Sequence, residues 1–450
     1  MNAGTPANYT KGKVRQLQNT LYLASKGNPK RRFHALYDKV YREDVMRIAW
    51  IRVKANGGSA GIDQETIDFI VREYGEERLI EECRQTLMNK TYRARPVRRQ
   101  EIPKGDGKMR PLGIPTLRDR VIQMATKIVI EPIFEADFQD VSFGFRPKRS
   151  AEDAIRRIRE TAEREKVHWV VDVDITGYFD NIPHDKLMKM VEKRINDRRV
   201  LKLIRMWLKA GVMKEGQFYE TDLGSPQGGV ISPLLANLYL HYLDTIWVKK
   251  FAHLGAIVRY ADDLVILCRY KRQALEAIRV LRTVFQKLEL TMNTSKSKLV
   301  NLWEGKEGFD FLGHTHRRMP HWGKKGTVIY FLRSYPSRKA MKKMRTRVRE
   351  ELTPLARLKW SIGDLIKRMN PIIQGWKNYY ASIDPTMANR FLTKVDWHIR
   401  RRISLWWNRK HKKRRASQVN VFELLRMAGL KTVAIWGKRT VQGEERRKAV

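Results

Sequence analysis

Against 91 Lys and Arg residues, the chain carries only 48 Asp and Glu, and four of those acids stand beside apolar runs. Asp172 and Asp174 close the stretch VHWVVDVD (167–174); Asp262 and Asp263 sit in the middle of IVRYADDLVIL (257–267). An ionised carboxylate among Val and Ile is costly to bury without a partner. Lys or Arg is one partner. A hard divalent cation with oxygen ligands is another. In a strand, residues two apart share a face, so Asp172 and Asp174 point the same way. Asp262 and Asp263 would diverge in a strand, but a turn between two strands lets both approach one site. Carboxylates brought from separate elements are what two-metal phosphoryl transfer requires, one ion activating an attacking 3′-hydroxyl and the other stabilising the leaving pyrophosphate.

Composition narrows the substrate. The 450 residues, about three domains by length, have a formal net charge of +43 and are 42% hydrophobic. That is enough to build a core, and the positive field favours a polyanion, nucleic acid first. Two cysteines, Cys83 and Cys268, exclude a disulfide framework or a Cys-rich zinc module and suit a reducing cytosol. No apolar run reaches the roughly 18 residues of a membrane span, and the N-terminus lacks the apolar core of a secretory signal. Phosphate-loop, HExxH and GxSxG motifs are absent, so helicase, metalloprotease and hydrolase readings have no support. The positive charge is uneven. Residues 337–349 hold seven Lys/Arg, residues 400–415 hold nine and no acid, and six of the twelve Trp follow residue 359. Basic residues interleaved with aromatics suit phosphate contact and base stacking.

The positioning elements follow from periodicity. Residues 1–30 read as a flexible arm leading into a short helix, and 33–55 as helix with a break near 42–44. Residues 63–88 continue as helix, broken at Gly75. Residues 96–103 alternate as a strand before the turn Lys104-Gly105-Asp106-Gly107-Lys108. Helices are predicted over 117–138, tolerating Pro132, over 150–166, capped by Ser150, and over 185–210, 230–250 and 271–290. Residues 167–174 read as a buried strand, 257–267 as two short strands around Asp262-Asp263, and 308–335 as a few more. From Ser337 the pattern is long, basic and helical. His184, at a helix start after Pro183, is expected to cap or hydrogen-bond.

At Tyr260-Ala261-Asp262-Asp263 the chain resembles the Tyr-x-Asp-Asp box of reverse transcriptases. The surrounding blocks arrive in that family's order: RPLGIPTLRDRVIQ (110–123), SFGFRPKRSAEDAI (142–155), VVDVDITGYFDNIPHDKL (170–187), GSPQGGVISPLLANLYLHYLD (224–244), LTMNTSKSKLV (290–300) and FDFLGH (309–314). The wording is similar to reverse transcriptases encoded by group II introns, over about residues 35–400. The fold this resemblance implies is α+β: a right-hand polymerase with fingers and an antiparallel-sheet palm, a helical N-terminal extension, and a helical thumb or maturase X domain. The implied boundaries are 1–85 for the extension and start of the fingers, 86–335 for fingers and palm, 336–410 for the thumb, and 411–450 for a basic nucleic-acid-binding segment.

The resemblance also implies roles. Asp174, Asp262 and Asp263 would be the catalytic metal ligands, joined by the backbone carbonyl of Ile175, with two Mg²⁺ as cofactor and Mn²⁺ as a substitute. Asp172 would be a helper or structural acid. Lys104, or Lys108 in its place, and Arg110 would grip the triphosphate. Phe179 would lie under the deoxyribose and exclude a 2′-hydroxyl. Gln227 would abut the incoming nucleotide, between glycines that allow close backbone approach. Lys296, with Lys298 beside it, matches the lysine that protonates pyrophosphate. Phe311-Leu312-Gly313 resembles the primer-grip turn, and His314, His316 and His321 are expected as polar loop histidines near a primer. Arg400, Arg401, Arg402, Arg409, Lys410, Lys412, Lys413, Arg414 and Arg415 would contact nucleic acid.

The activity implied is RNA-directed DNA synthesis during intron retrohoming, together with maturase binding of the intron RNA. Partners would be group II intron RNA, an RNA template with DNA primer, target DNA and dNTPs, without a membrane, in a bacterial cytoplasm as a nucleoid-associated ribonucleoprotein. No Cys follows Cys268, so the Cys-x-x-Cys endonuclease of many relatives is expected to be absent, as in compact class C-like members. The alternatives are a splicing-only RNA-binding maturase, or a related reverse transcriptase recruited to host defence or repair.

Overall fold

The structure is a computed structural model and describes residues 7–103, 109–214, 217–219, 223–224, 228–322, 327–411 and 418–435. Along the chain the strands are β1 (Val97–Pro103), β2 (Met109–Ile114), β3 (Trp169–Val173), β4 (Val212–Lys214), β5 (Gln217–Tyr219), β6 (Ala256–Tyr260), β7 (Asp263–Cys268), β8 (Lys298–Asn301), β9 (Gly308–Phe311), β10 (His314–Trp322) and β11 (Val328–Pro336). With the helices around them they make an α+β fold. The chain divides into two compact units, neither contiguous in sequence: Met1–Arg149, Val173–Leu264 and Glu276–Ser297 in the first; Ser150–Asp172, Val265–Leu275 and Lys298–Val450 in the second.

The first unit is built on the helix Leu117–Glu135, which is buried along most of its length. Its N-cap, Thr116, accepts from the Asp119 amide, and Asp119 in turn accepts from the Tyr92 hydroxyl. Pro132 is accommodated within this helix, as the sequence suggested. Against it packs the helix Ala7–Gly27, where a flexible arm and a short helix were expected. The physical reason is a polar stripe. Thr10, Val14, Leu21 and Ser25 are buried on one face, a helical spacing. Gln18 Nε2 donates to the Ile128 carbonyl at 3.0 Å and Ser25 Oγ to the Ile133 carbonyl at 2.8 Å. Hydrogen bonds replace apolar contacts at those points, so the hydrophobic pattern underreports the face.

A four-stranded sheet in the order β2-β1-β4-β5 completes this unit, with β1 and β2 antiparallel and Pro103 opposite Met109. The residues 104–108 that join them lie outside the described residues. The single helix expected over 185–210 is two, His184–Glu192 and Arg198–Leu208. Between them the backbone bonds to Phe33 (Phe33 N to Arg194 O, 2.8 Å; Asn196 N to Phe33 O, 2.8 Å), and Asp197 caps the second helix by accepting from the Arg199 amide. Those bonds and that cap break the helix where the apolar periodicity runs on.

In the second unit, β3 pairs antiparallel with β8, Asp172 opposite Lys298. A three-stranded sheet runs β11-β10-β9. The helix Ala151–Arg164 opens with a capping box in which Asp153 answers Ser150. The helices Arg338–Leu352, Ile362–Ala381 and Pro385–Lys410 share a core of Met344, Leu365, Met369, Leu392 and Ile399. Leu425, Val433 and Ala434 enter the same core, and the Asp396 carboxylate accepts from the Val433 and Ala434 amides at 2.7 and 3.0 Å. Among the described residues no helix is long and apolar enough to cross a membrane.

Candidate active site

The acids singled out in the sequence that belong to the first unit are Asp174, Asp262 and Asp263. Asp174 follows β3 directly, and its amide donates to Ser297 Oγ at 3.1 Å. The Asn293 amide donates to the Asp174 carbonyl at 2.8 Å and the Thr176 amide to the Thr291 carbonyl at 2.9 Å. These two bonds flank an antiparallel bridge between Ile175 and Met292. In that pattern the central residue directs its own amide and carbonyl away from the neighbouring strand, so the Ile175 carbonyl faces away from Met292. Lys296 Nζ stands 3.7 Å from Asp174 Oδ2, both side chains partly solvated.

Asp262 sits in the turn between β6 and β7. Ala261, just before it, has φ 57°, a left-handed conformation that strains a residue with a Cβ. Its surroundings hold it there. Arg259, on β6 and 1% exposed, donates to Asp244 Oδ1 from Nε (2.8 Å), to Asn237 Oδ1 (3.1 Å) and the Ala261 carbonyl (2.7 Å) from Nη1, and to Ser142 Oγ from Nη2 (2.8 Å). Burial alone would lower the Arg259 pKa, but the Asp244 carboxylate outweighs it and the pKa is raised. Behind the turn runs Gly144, where a Cβ would fall 2.4 Å from the Ala261 amide nitrogen. Only glycine allows that approach. Sequence reasoning missed Arg259, Asp244 and Gly144. The available signal was an Arg inside an apolar strand, which demands a buried anion; its partner lies fifteen residues back and has no local mark.

Burial raises the Asp262 pKa. Its own amide, Arg110 and Arg259 pull it down, while Asp174 pushes it further up. The charges of Asp174 and of Arg110, exposed on β2, thus both act on the Asp262 carboxylate. Asp263 begins β7 and is exposed. This donor set fits a hard dication: two half-buried carboxylates and a carbonyl directed away from its neighbouring strand. Among the described residues no group of three or more His, Cys, Asp or Glu side chains is gathered closely enough to hold an ion by itself.

Phe179, 8% exposed, lies in the 3₁₀ turn Tyr178–Asp180 and meets Tyr178 edge-on at 5.5 Å. Gly224 lies against the backbone of this turn: a Cβ there would be 2.9 Å from the Phe179 carbonyl and 2.8 Å from that of Asp180. Gly228, at φ 120°, leaves a Cβ only 2.4 Å from the Gly113 carbonyl of β2. The glycines flanking Gln227 thus reach Phe179 on one side and the strand of Arg110 on the other. Gln227 itself lies outside the described residues, as do Lys104 and Lys108. His184 Nε2 is 2.6 Å from the Gly224 carbonyl, the structural hydrogen bond expected of it.

In the second unit, Leu312 and Gly313 have φ 49° and 76° and form the tight turn between β9 and β10. Tyr379 Oη donates to the Leu312 carbonyl at 2.7 Å. His314 and His316 are not the polar loop histidines expected. Both are on β10 and fully buried, and burial lowers their pKa values to about 4 and about 3. His316 stacks on Phe309 and bonds Ser334 Oγ at 2.9 Å. The alternation His-Thr-His hides a buried strand because the inward residues are polar.

Of the basic residues near the end of the helix Pro385–Lys410, Arg401 and Arg409 are exposed and Arg400 and Arg402 half-buried. Arg401 lies 5.2 Å over the exposed Trp397 ring. Lys410 donates to the Trp360 carbonyl. Lys412, Lys413, Arg414 and Arg415 lie outside the described residues.

Known proteins match this chain in sequence. The family described as reverse transcriptase (RNA-dependent DNA polymerase) matches residues 102–316, and the group II intron maturase-specific domain matches residues 341–421. The chain is 37% identical to Protein YkfC of Escherichia coli, over 51% of this chain and 69% of that one. It is 43% identical to the group II intron-encoded protein LtrA of Lactococcus lactis subsp. cremoris, over 47% of this chain and 35% of that one. A telomerase structure from Candida albicans aligns over 78% of this chain and 64% of that one, at 12% identity and a TM-score of 0.38. The chain belongs to the reverse transcriptases that carry the group II intron maturase-specific domain. It spans two thirds of YkfC's length and about a third of LtrA's.

Proposed function

We propose that this protein is an RNA-directed DNA polymerase encoded by a group II intron, copying intron RNA into DNA during retrohoming and binding that RNA as a maturase, in a bacterial cytoplasm as a ribonucleoprotein. The observation that carries the reading is the placement of Asp174 directly after β3 and of Asp262 and Asp263 at the β6–β7 turn, inside the segment that matches the reverse transcriptase family. Asp174, Asp262 and Asp263, with the Ile175 carbonyl, would hold two Mg²⁺ or, in substitution, Mn²⁺. When bound, the ions supply activation of a primer 3′-hydroxyl and neutralisation of the leaving pyrophosphate.

The protein's own groups do the rest. Arg110, with Lys104, orients the triphosphate, where preorganised positive charge counts most. Phe179, whose backbone is held against Gly224, closes the space a 2′-hydroxyl would need. Lys296, held near Asp174, is positioned to give a proton to pyrophosphate. Phe311-Leu312-Gly313 would seat the primer strand. Recognition of template, primer, target DNA and intron RNA by the helical second unit rests on phosphates and shape.

Primer extension on an RNA template, with dNTPs or NTPs and Mg²⁺, tests the reading. Extension with dNTPs is expected. No extension, with tight intron RNA binding retained, would replace it with a splicing-only maturase.

A further inference from the structure

The antiparallel ribbon β10–β11 outgrows its sheet. β9 covers only its base, pairing Gly308–Phe311 with residues 314–317. Beyond Arg317 the two strands continue alone through the pairs Arg318↔Leu332, Met319↔Phe331, Pro320↔Tyr330, His321↔Ile329 and Trp322↔Val328. A two-stranded ribbon is marginal in water without a partner. Cross-strand pairs share a face, so Met319, Phe331 and Ile329 lie on one side and Tyr330, Trp322 and Val328 on the other. Both sides are open: Trp322 is 72% exposed, Ile329 50%, Tyr330 and Phe331 38% each.

The Tyr330–Trp322 face continues across the second unit. Gly305 packs so that a Cβ would fall 2.4 Å from the Arg318 carbonyl and 3.6 Å from the Tyr330 ring. Arg318 Nη1 lies 2.6 Å from His168 Nδ1, and Trp303, 58% exposed, meets the His168 ring edge-on at 4.1 Å. Trp303, Arg318, Tyr330 and Trp322 therefore line one surface. Charge complementarity says what covers it. From Phe311 to Pro336 the chain has five Lys or Arg and no Asp or Glu, and Glu304 beside Trp303 is paired with Lys306 at 2.6 Å. The occupant is a polyanion, and flat rings among the cations call for flat apolar faces in it. Duplex nucleic acid hides its base faces; an unpaired loop presents them. Trp322 on β10 and Tyr330 on β11 are diagonal cross-strand neighbours, about 7–8 Å apart, roughly twice the 3.4 Å rise per stacked nucleotide, so one base fits between the two rings.

We propose that the outer half of this ribbon, with Trp303, is a docking surface for an unpaired RNA loop. Trp322 lies nine residues beyond Gly313, about 30 Å of extended strand, so the surface is distinct from the turn at Leu312-Gly313. The proposal rests on the RNA-binding part of the proposed function and not on its catalytic part.

The test is equilibrium binding of the full chain to a fluorescein-labelled RNA hairpin with a loop of about twelve unpaired uridines, to the same stem closed by a minimal loop, and to single-stranded DNA of the loop sequence, each across a salt series. Trp322→Ala/Tyr330→Ala should weaken the large-loop RNA by roughly five- to hundredfold, the scale of losing one base stack. The salt slope should stay unchanged, since no charge is removed, and the minimal-loop stem should be little affected. Trp322→Phe should keep most of the affinity, which guards against a folding defect. Unchanged large-loop binding, or equal losses on both RNAs, would overturn the proposal. So would a loss confined to single-stranded DNA, or sedimentation showing that the ribbon holds a second copy of the chain. Primer extension by the wild-type protein is read separately, so a failed polymerase reading and a failed docking surface give different results.

Discussion

The ion pair Arg259–Asp244 positions the Ala261–Asp262 turn, and two variants separate that role from simple stability. Asp244→Ala leaves a fully buried guanidinium without its anion. Breaking a buried pair this way costs about 3–5 kcal/mol, and the urea midpoint of the first unit should fall accordingly. Replacing both partners with apolar residues, Asp244→Leu with Arg259→Met, removes the unpaired charge, and such exchanges are neutral or stabilising by roughly 1–4 kcal/mol. Most of the lost stability should therefore return, less about 1–3 kcal/mol for each acceptor Arg259 leaves unpaired at Asn237, Ser142 and Ala261. Activity should not. The Ala261 carbonyl would have lost its 2.7 Å bond from Arg259, a charge-assisted bond of about 1.5–3 kcal/mol. Left-handed Ala261 carries strain of about 1–3 kcal/mol. Bond and strain are of the same size, so without the bond the turn relaxes and moves Asp262. Single-nucleotide incorporation should drop by roughly ten- to hundredfold in a double variant that is more stable than Asp244→Ala. Recovery of stability and incorporation together in the double variant would refute the positioning role.

Gly144→Ala should act on the same turn from behind: its Cβ would meet the Ala261 amide at 2.4 Å, and overpacking of about 1–3 kcal/mol should appear as lower incorporation with RNA affinity kept. Phe179→Val should admit NTPs in a dNTP/NTP competition assay; unaltered sugar selectivity would remove Phe179 as the gate. His314 and His316, with pKa values lowered to about 4 and about 3, are neutral when folded and bind protons more readily when unfolded, at about 6.5. Their stabilisation is full above pH 6.5 and is lost as the pH falls through the folded values, roughly 3 kcal/mol for each group between pH 6.5 and 4. Unfolding midpoints of the second unit should drop over that window, and His316→Gln should remove about half of the slope. Neutralising Arg400, Arg401, Arg402 and Arg409 should weaken RNA binding and flatten its salt dependence by up to about 0.9 for each phosphate no longer neutralised; an unaltered slope would mean those side chains face solvent.

What could be read from the residues was whatever is local. Apolar strands around Asp262 and Asp263, the alternation of β1, and the periodicity of the helix Ile362–Ala381 each sit within one short window. So do the glycines around Gln227, whose close approach to Phe179 and Gly113 is the packing their lack of a side chain implied. What stayed hidden is what polar residues do when buried. Gln18 and Ser25 attach the first helix through carbonyls of another helix, His314 and His316 fill a strand's inner face, and Arg259 meets an anion fifteen residues away. Each interrupts the apolar pattern and is satisfied only by a residue distant in sequence. The break at 193–197 follows the same rule, because Phe33 supplies its backbone partners.

The most direct test of the active-site assignment is single-turnover dNTP incorporation on an RNA template by Asp174→Asn, Asp262→Asn and Asp263→Asn, each measured beside its affinity for the same primer–template. The assignment predicts that every one loses about a thousandfold or more in rate, the scale of removing a preorganised electrostatic group, with affinity close to wild type. Near-wild-type incorporation by any of the three would contradict it.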